Sequence, residues 1–286
     1  MRKDCRTEKQ NRGKGCRNRR VFLLCLAALF LMLLAGITLA GIVEADAALT
    51  TDFSRKNLAP CLEYPFGTDW MGRDMFVRTL AGLSLSIRIG LLTAGISSVI
   101  ALGLGITAAL GKYADGVIGC MIDVVMGIPH MLLLVLISFA MGKGFWGVVT
   151  GISLTHWTSL ARLLRAEALQ LKESQYVKIA GKLGKGPFYI AWKHMTPHLL
   201  PQLLVGVVLM FPHAILHEAG ITFLGFGLSP EQPAIGIILS ESMSYLSMGR
   251  WWLALFPGLL LVLVVIMFHV IGNAAGSVLD PGQAHR

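Results

Sequence analysis

The sequence predicts an all-α protein, a polytopic membrane bundle of about six transmembrane helices. Three observations carry that expectation. The chain is 55% hydrophobic and only 14% charged, against about 25% charged in ordinary soluble domains, and its mean hydropathy is +0.66. Six apolar runs approach or exceed the roughly 20 residues that cross a bilayer: 21–43, 89–111, 117–142, 144–161, 199–228 and 251–279. Between the fourth and fifth lies a basic, polar segment, residues 162–201, with seven Lys/Arg against two Glu.

In chain order, residues 1–20 form a basic tail with nine Lys/Arg and two acids. A nucleic-acid arm would share that composition, but a positive-inside anchor explains it directly, and no nucleic-acid partner is expected. The run 21–43 is charge-free and too long for a signal-peptide core of about 7–15 residues. It reads as a retained first helix despite the cleavage-like Ala45-Asp46-Ala47. Residues 44–85 read as an extracytoplasmic loop, since 44–74 holds six acids and three bases. Residues 86–281 then form the core domain. Lys and Arg resist translocation, so both termini and segment 162–201 are expected in the cytoplasm. The five cysteines include no C-x-x-C pair and suggest neither a disulfide framework nor a zinc site. Methionines 121, 126, 131 and 141 are spaced off any helical stripe and read as core filling.

The segment 162–201 is patterned. Tyr176, Val177, Ile179, Ala180 and Leu183, then Phe188, Ile190 and Trp192, recur at helical spacing around Gly184 and Gly186. This predicts two short amphipathic helices separated by a turn. Gly184 permits the turn, and Pro187 can open the second helix because a first-turn N–H is not needed. Leu183, Phe188 and Ile190 would face a partner's groove or lipid headgroups.

Costly polar residues inside the apolar runs are Asp123, Glu218 and five histidines, 130, 156, 213, 217 and 269. His213 and His217 are four apart and share one helical face, with Glu218 adjoining. Neutral imidazole is a common ligand for nickel, copper and zinc. His130, His156, His213, His217 and Glu218 are therefore candidates for a translocation path, and His213 with His217 for transient metal contact. Histidines that only hydrogen-bond between helices satisfy the same pattern. For Asp123 and Glu218, helix–helix bonding is the default role.

Three blocks together resemble the inner-membrane permease subunits of bacterial ABC importers, in the dipeptide, oligopeptide and nickel group. The first is Phe66-Gly67-Thr68-Asp69, then Gly72-Arg73-Asp74. The second runs from Tyr176 through Ala180 to Gly184, with Pro197 thirteen residues after that glycine, as in the family's cytoplasmic coupling loop. The third is Phe223-Leu224-Gly225-Phe226-Gly227, Phe256-Pro257-Gly258 and Leu279-Asp280-Pro281. The resemblance spans residues 20–281. Departures are Lys178-Ile179 where the family has Glu-Ala, His198 after the loop's proline, and Ile235 before Gly236.

The resemblance implies a type I importer permease, a transport subunit rather than an enzyme. Its ATPase-coupling residues would be Tyr176, Ala180, Gly184, Pro187, Phe188 and Pro197. Its implied partners are a second permease chain, two ATPase subunits and an extracytoplasmic solute-binding protein, with ATP on the ATPases and no cofactor here. The sequence agrees: none of its Gly-Lys pairs has the glycine five residues upstream, or the following Ser/Thr, of a phosphate loop. An ATP-independent transporter would instead show an inverted repeat or a filter. The text from Pro212 to Gly220 and Thr155-His156-Trp157 look closest to nickel-type permeases, which makes nickel or its chelate the expected cargo and peptides the alternative.

Overall fold

The computed structural model describes residues 4–279, with side chains from 21 to 278. The side chains of the basic tail and the closing Asp280-Pro281 lie outside the described residues. Ten helices account for the fold among those residues: α1 (Asp4–Val43), α2 (Met75–Leu110), α3 (Lys112–Gly127), α4 (His130–Ala140), α5 (Gly144–Lys172), α6 (Gln175–Lys182), α7 (Pro187–Ile190), α8 (Thr196–Phe223), α9 (Ile235–Leu246) and α10 (Trp252–Leu279). A π turn, Ala191–Met195, joins α7 to α8.

The all-α membrane bundle stands, with a different division into spans. Among the described residues, four helical stretches are long and apolar enough to cross a membrane: Val21–Val43, Met75–Leu110, Pro187–Phe223 and Trp252–Val278. The single span expected over 117–142 is instead a pair, α3 and α4, bent by 94°. Gly127-Ile128-Pro129 interrupts it, because Pro129 drives the residue before it out of the helical region; Ile128 is extended at ψ 136°. Counting that pair as one span gives five. The fourth expected run, 144–161, is the first half of α5. At 29 residues α5 is about 44 Å long, but Arg162, Arg165, Glu167 and Lys172 make its second half too polar to count as a span.

α2 is the central pillar and starts at Met75, eleven residues before the expected boundary at 86. Asp74 caps it by accepting from the backbone N–H groups of Phe76 (2.8 Å) and Val77 (3.5 Å). α5 runs along α2 with small residues between them. Gly105 of α2 meets α5 so closely that a Cβ there would lie 3.0 Å from the Leu164 Cβ. The Ser97 hydroxyl donates to the Ser153 carbonyl at 3.1 Å. α8 packs on both α2 and α5, α10 covers α8, and α1 lies across α2 and α10. Leu34, Ile87, Phe211, Ile215, Val264 and Phe268 form the apolar seam of that second layer. Most of α1 between Val21 and Val43 is left uncovered, as expected of a helix solvated by lipid.

The loop 44–74 is closed by charge. The Asp69 carboxylate accepts from the backbone N–H groups of Met71 and Arg73, from Arg73 Nε at 2.6 Å and from Arg78 Nη1 at 3.2 Å. Arg78 Nη1 also donates to Glu241 Oε2 of α9 at 2.6 Å, and Arg73 Nη2 reaches the same oxygen at 3.4 Å. Two acids and two bases thus neutralise one another with Asp69, Arg73 and Arg78 buried.

Candidate functional site

Two regions carry the candidate residues. The first is a cavity of about 610 Å³ between the α3–α4 break, α5 and α8. Its wall includes residues 125–130 of the break, Thr155, His156, Thr158 and Ser159 of α5, and Met210, His213 and His217 of α8. The break creates the opening: a straight helix through 127–130 would leave no recess there.

Three histidines from three helices converge on this cavity. His130 occupies the first turn of α4, directly after Pro129. Its ring lies 4.9 Å from that of His156 and 4.6 Å from that of His217, and the last two are 5.1 Å apart, centroid to centroid. Each offers a ring nitrogen, and the three nitrogens lie within 4.8 Å of one another. His156 is buried; its Nδ1 sits 3.1 Å from the Ile152 carbonyl. His130 Nε2 is buried without a hydrogen-bond partner.

The placement revises the sequence-based set. His213 and His217 share a face, but the metal-compatible group is His130, His156 and His217; His213 lines the same cavity from an exposed position. Glu218 does not line the cavity. It follows His217 by about 100° around the helix, faces α2, and is fully buried. There it accepts from the Ser86 hydroxyl at 2.5 Å and the Thr222 hydroxyl at 3.1 Å, the helix–helix role open to it from the start. Asp123 likewise ties α3 to α5, with Arg162 Nη2 2.7 Å away; Asp115 and Arg165 add a second such pair at 2.5 Å. His269 lies on an exposed face of α10.

The second region is the segment between α5 and α8. Two short helices are present, α6 and α7. Gly184 makes the turn between them at φ +79°, a left-handed conformation that costs a residue with a Cβ about 1–2 kcal/mol. The backbone N–H of Lys185 then donates to the Ala180 carbonyl at 3.2 Å. Pro187 stands in the first turn of α7. Val177, Ala180, Ala191 and Met195 are buried against the bundle. Tyr176, Ile179, Leu183, Phe188, Tyr189 and Trp192 are exposed, Leu183 and Phe188 each by about three quarters (74% and 76%). Ile190 was expected on this outward face but packs inward against the core; Trp192 takes its place at 66% exposure. Helical spacing explains the exchange: Ile190 stands about 200° around the helix from Phe188, whereas Trp192, four residues on, shares its face. The rings of Tyr176 and His198, the residue after Pro197, lie 5.4 Å apart and tilted by 44°. Lys178 bonds Glu173 at 2.7 Å, which holds the Glu173 carboxyl below the usual carboxylate range.

Comparison with known proteins places this architecture. A putative peptide transport system permease protein of Brucella suis is 34% identical over 92% of this chain and 88% of its own length. A dipeptide transport system permease protein of Bacillus subtilis is 29% identical over 90% of this chain and 82% of its own. In fold, the chain matches one from the MetNI methionine ABC transporter, solved in inward-facing conformations, with a TM-score of 0.60 at 17% identity over 72% of this chain and 98% of that one. That likeness identifies the type I importer permease fold. The model of the binding-protein-dependent transport system inner membrane component family matches residues 101–285. The chain therefore belongs to that family and is a multi-pass permease subunit of an ABC importer, a transport protein rather than an enzyme.

Proposed function

We propose that this subunit forms one side of a translocation path for peptides. The observation that carries the reading is the 34% identity, over 92% of the chain, to a relative named as a peptide permease. This favours peptides over nickel, the cargo that the local histidine text suggested. The cavity of about 610 Å³ falls within the range of about 300–1,000 Å³ that small ligands occupy. Its mixture of imidazole, hydroxyl and apolar groups suits a peptide backbone. Its histidines, 130, 156, 213 and 217, would line the path.

Importers of this family work with an ATPase and a binding protein. In our reading the complete machine contains a second permease chain, two ATPases that bind ATP, and an extracytoplasmic solute-binding protein. The segment 162–201 faces the cytoplasm, as its seven bases require, and loop 44–74 faces outward. Tyr176, Ala180, Gly184, Pro187, Phe188 and Pro197 shape the element that meets the ATPase. The exposed Leu183, Phe188 and Trp192 enter its groove.

The test is uptake by the assembled complex in proteoliposomes. Labelled di- and oligopeptides should accumulate with ATP and binding protein present; accumulation of nickel ion but not peptide would overturn the cargo. A reporter active only outside the membrane should be silent after Arg286 and active within 232–240. The opposite pattern would overturn the orientation.

A further inference from the structure

We propose that His130, His156 and His217 form a binding site for a divalent transition-metal ion. The first ground is convergence. The three rings come from the first turn of α4, from α5 and from α8, at positions 130, 156 and 217. They offer nitrogens within 4.8 Å of one another. Three imidazoles on a tetrahedral ion, at metal–nitrogen distances of about 2.0–2.1 Å, stand about 3.3 Å apart. Closing the cluster takes shifts of an ångström or so at each ring, within the reach of side-chain rotation beside an open cavity.

The second ground is the pattern of hydrogen bonds. His156 Nδ1 lies 3.1 Å from the Ile152 carbonyl, with the Thr155 hydroxyl at 3.3 Å. A proton on Nδ1 would be donated to that carbonyl and would leave Nε2 as a lone pair. This is the backing that orients a metal-bound histidine. His130 Nε2 is a buried polar atom with no partner, and such atoms are uncommon in folded proteins. A metal ion satisfies it.

The third ground is access. All three residues line the 610 Å³ cavity, so the remaining coordination positions of the ion open into it. Three neutral imidazoles select borderline ions such as Zn²⁺, Ni²⁺, Co²⁺ and Cu²⁺ over Mg²⁺ and Ca²⁺, which take oxygen ligands. No carboxylate stands among the lining residues, so the charge of the ion is left for water, an amine or a carboxylate entering from the cavity. Such a site holds its ion reversibly.

The measurement is a Co²⁺ titration of the assembled, tag-free transporter in detergent, followed by the visible absorption of imidazole-bound cobalt and by X-ray absorption at the cobalt edge. We expect about one ion per copy of this chain, with three imidazole nitrogens in its shell, displaced by Zn²⁺ and not by Mg²⁺. His130→Ala, His156→Ala and His217→Ala should each weaken binding by at least about tenfold. His269→Ala, on the exposed face of α10, should leave it unchanged. No spectrum from the unaltered protein, or a shell with fewer than two imidazoles, overturns the site whatever the variants do. So does a spectrum that survives all three substitutions together. Peptide uptake plays no part in this measurement, so the cargo reading and the metal site fail separately.

Discussion

The two polar ends of the bundle solve opposite problems. At the 44–74 end, Asp69, Arg73, Arg78 and Glu241 bring four charges together and satisfy them within the chain. At the α6–α7 end, charges sit on the surface while Leu183, Phe188 and Trp192 stand uncovered. The first end pairs its charges internally and ties the start of α2 to α9. The second leaves apolar side chains open, as the docking role proposed for it needs. Both carry dense sequence signatures, so a motif by itself does not distinguish a folding device from a docking device. The fate of its charged and apolar side chains does.

The largest separation between the ends should come from Asp69→Ala. It leaves two buried guanidinium groups to share the single carboxylate of Glu241, and removing one partner from a buried charge network typically costs about 3–5 kcal/mol. Thermal unfolding in detergent and the amount of protein in the membrane should both drop sharply; unchanged stability would mean that the network is dispensable. Gly184→Val should do the reverse. A Cβ at Gly184 meets nothing within 4 Å, so the damage is confined to the turn's dihedral angle. Insertion and melting should be nearly normal while ATP-driven uptake falls by at least about tenfold, the scale of roughly 1.4 kcal/mol. Wild-type transport in that variant would sink the coupling role. Phe188→Ser and Trp192→Ser come next, each reducing capture of the purified ATPase several-fold with no loss of stability. Lys178→Ala should be the smallest effect. Its pair with Glu173 is exposed on both sides, and such pairs contribute little, so melting and uptake should stay at wild-type levels.

Much of the helical framework was legible in the sequence because lipid-facing helices need long apolar runs. The early start of α2 was not, since Arg78, Ser84 and Ser86 look like loop residues until their partners Glu241, Thr38 and Glu218 are in place. The break at Gly127–Pro129 was hidden inside one continuous apolar run. Gly184 and Pro187 could be assigned from local backbone chemistry alone. Ile190 and Trp192 were equally legible, because residues two apart on a helix face opposite ways and residues four apart share a face. Helical spacing brought out His213 and His217, whereas the group with His130 and His156 depends on how α4, α5 and α8 meet. Likewise, adjacency to His217 placed Glu218 on the path, although neighbours along a helix point different ways.

The π turn at Ala191–Met195 has a mechanical consequence. It opens the helix by one residue where the exposed loop joins α8, and the Thr196 hydroxyl closes the gap on the Ala191 carbonyl at 3.0 Å. It stands at the start of α8, whose second half carries His213 and His217. With a helix radius of about 5–6 Å including side chains, a twist of about 20° in α8 sweeps a ring through roughly 2 Å. That arc is comparable to the distance over which three imidazoles would gather around an ion or release it. Under the coupling role proposed for the loop, a torque applied there would change the spacing of the histidines.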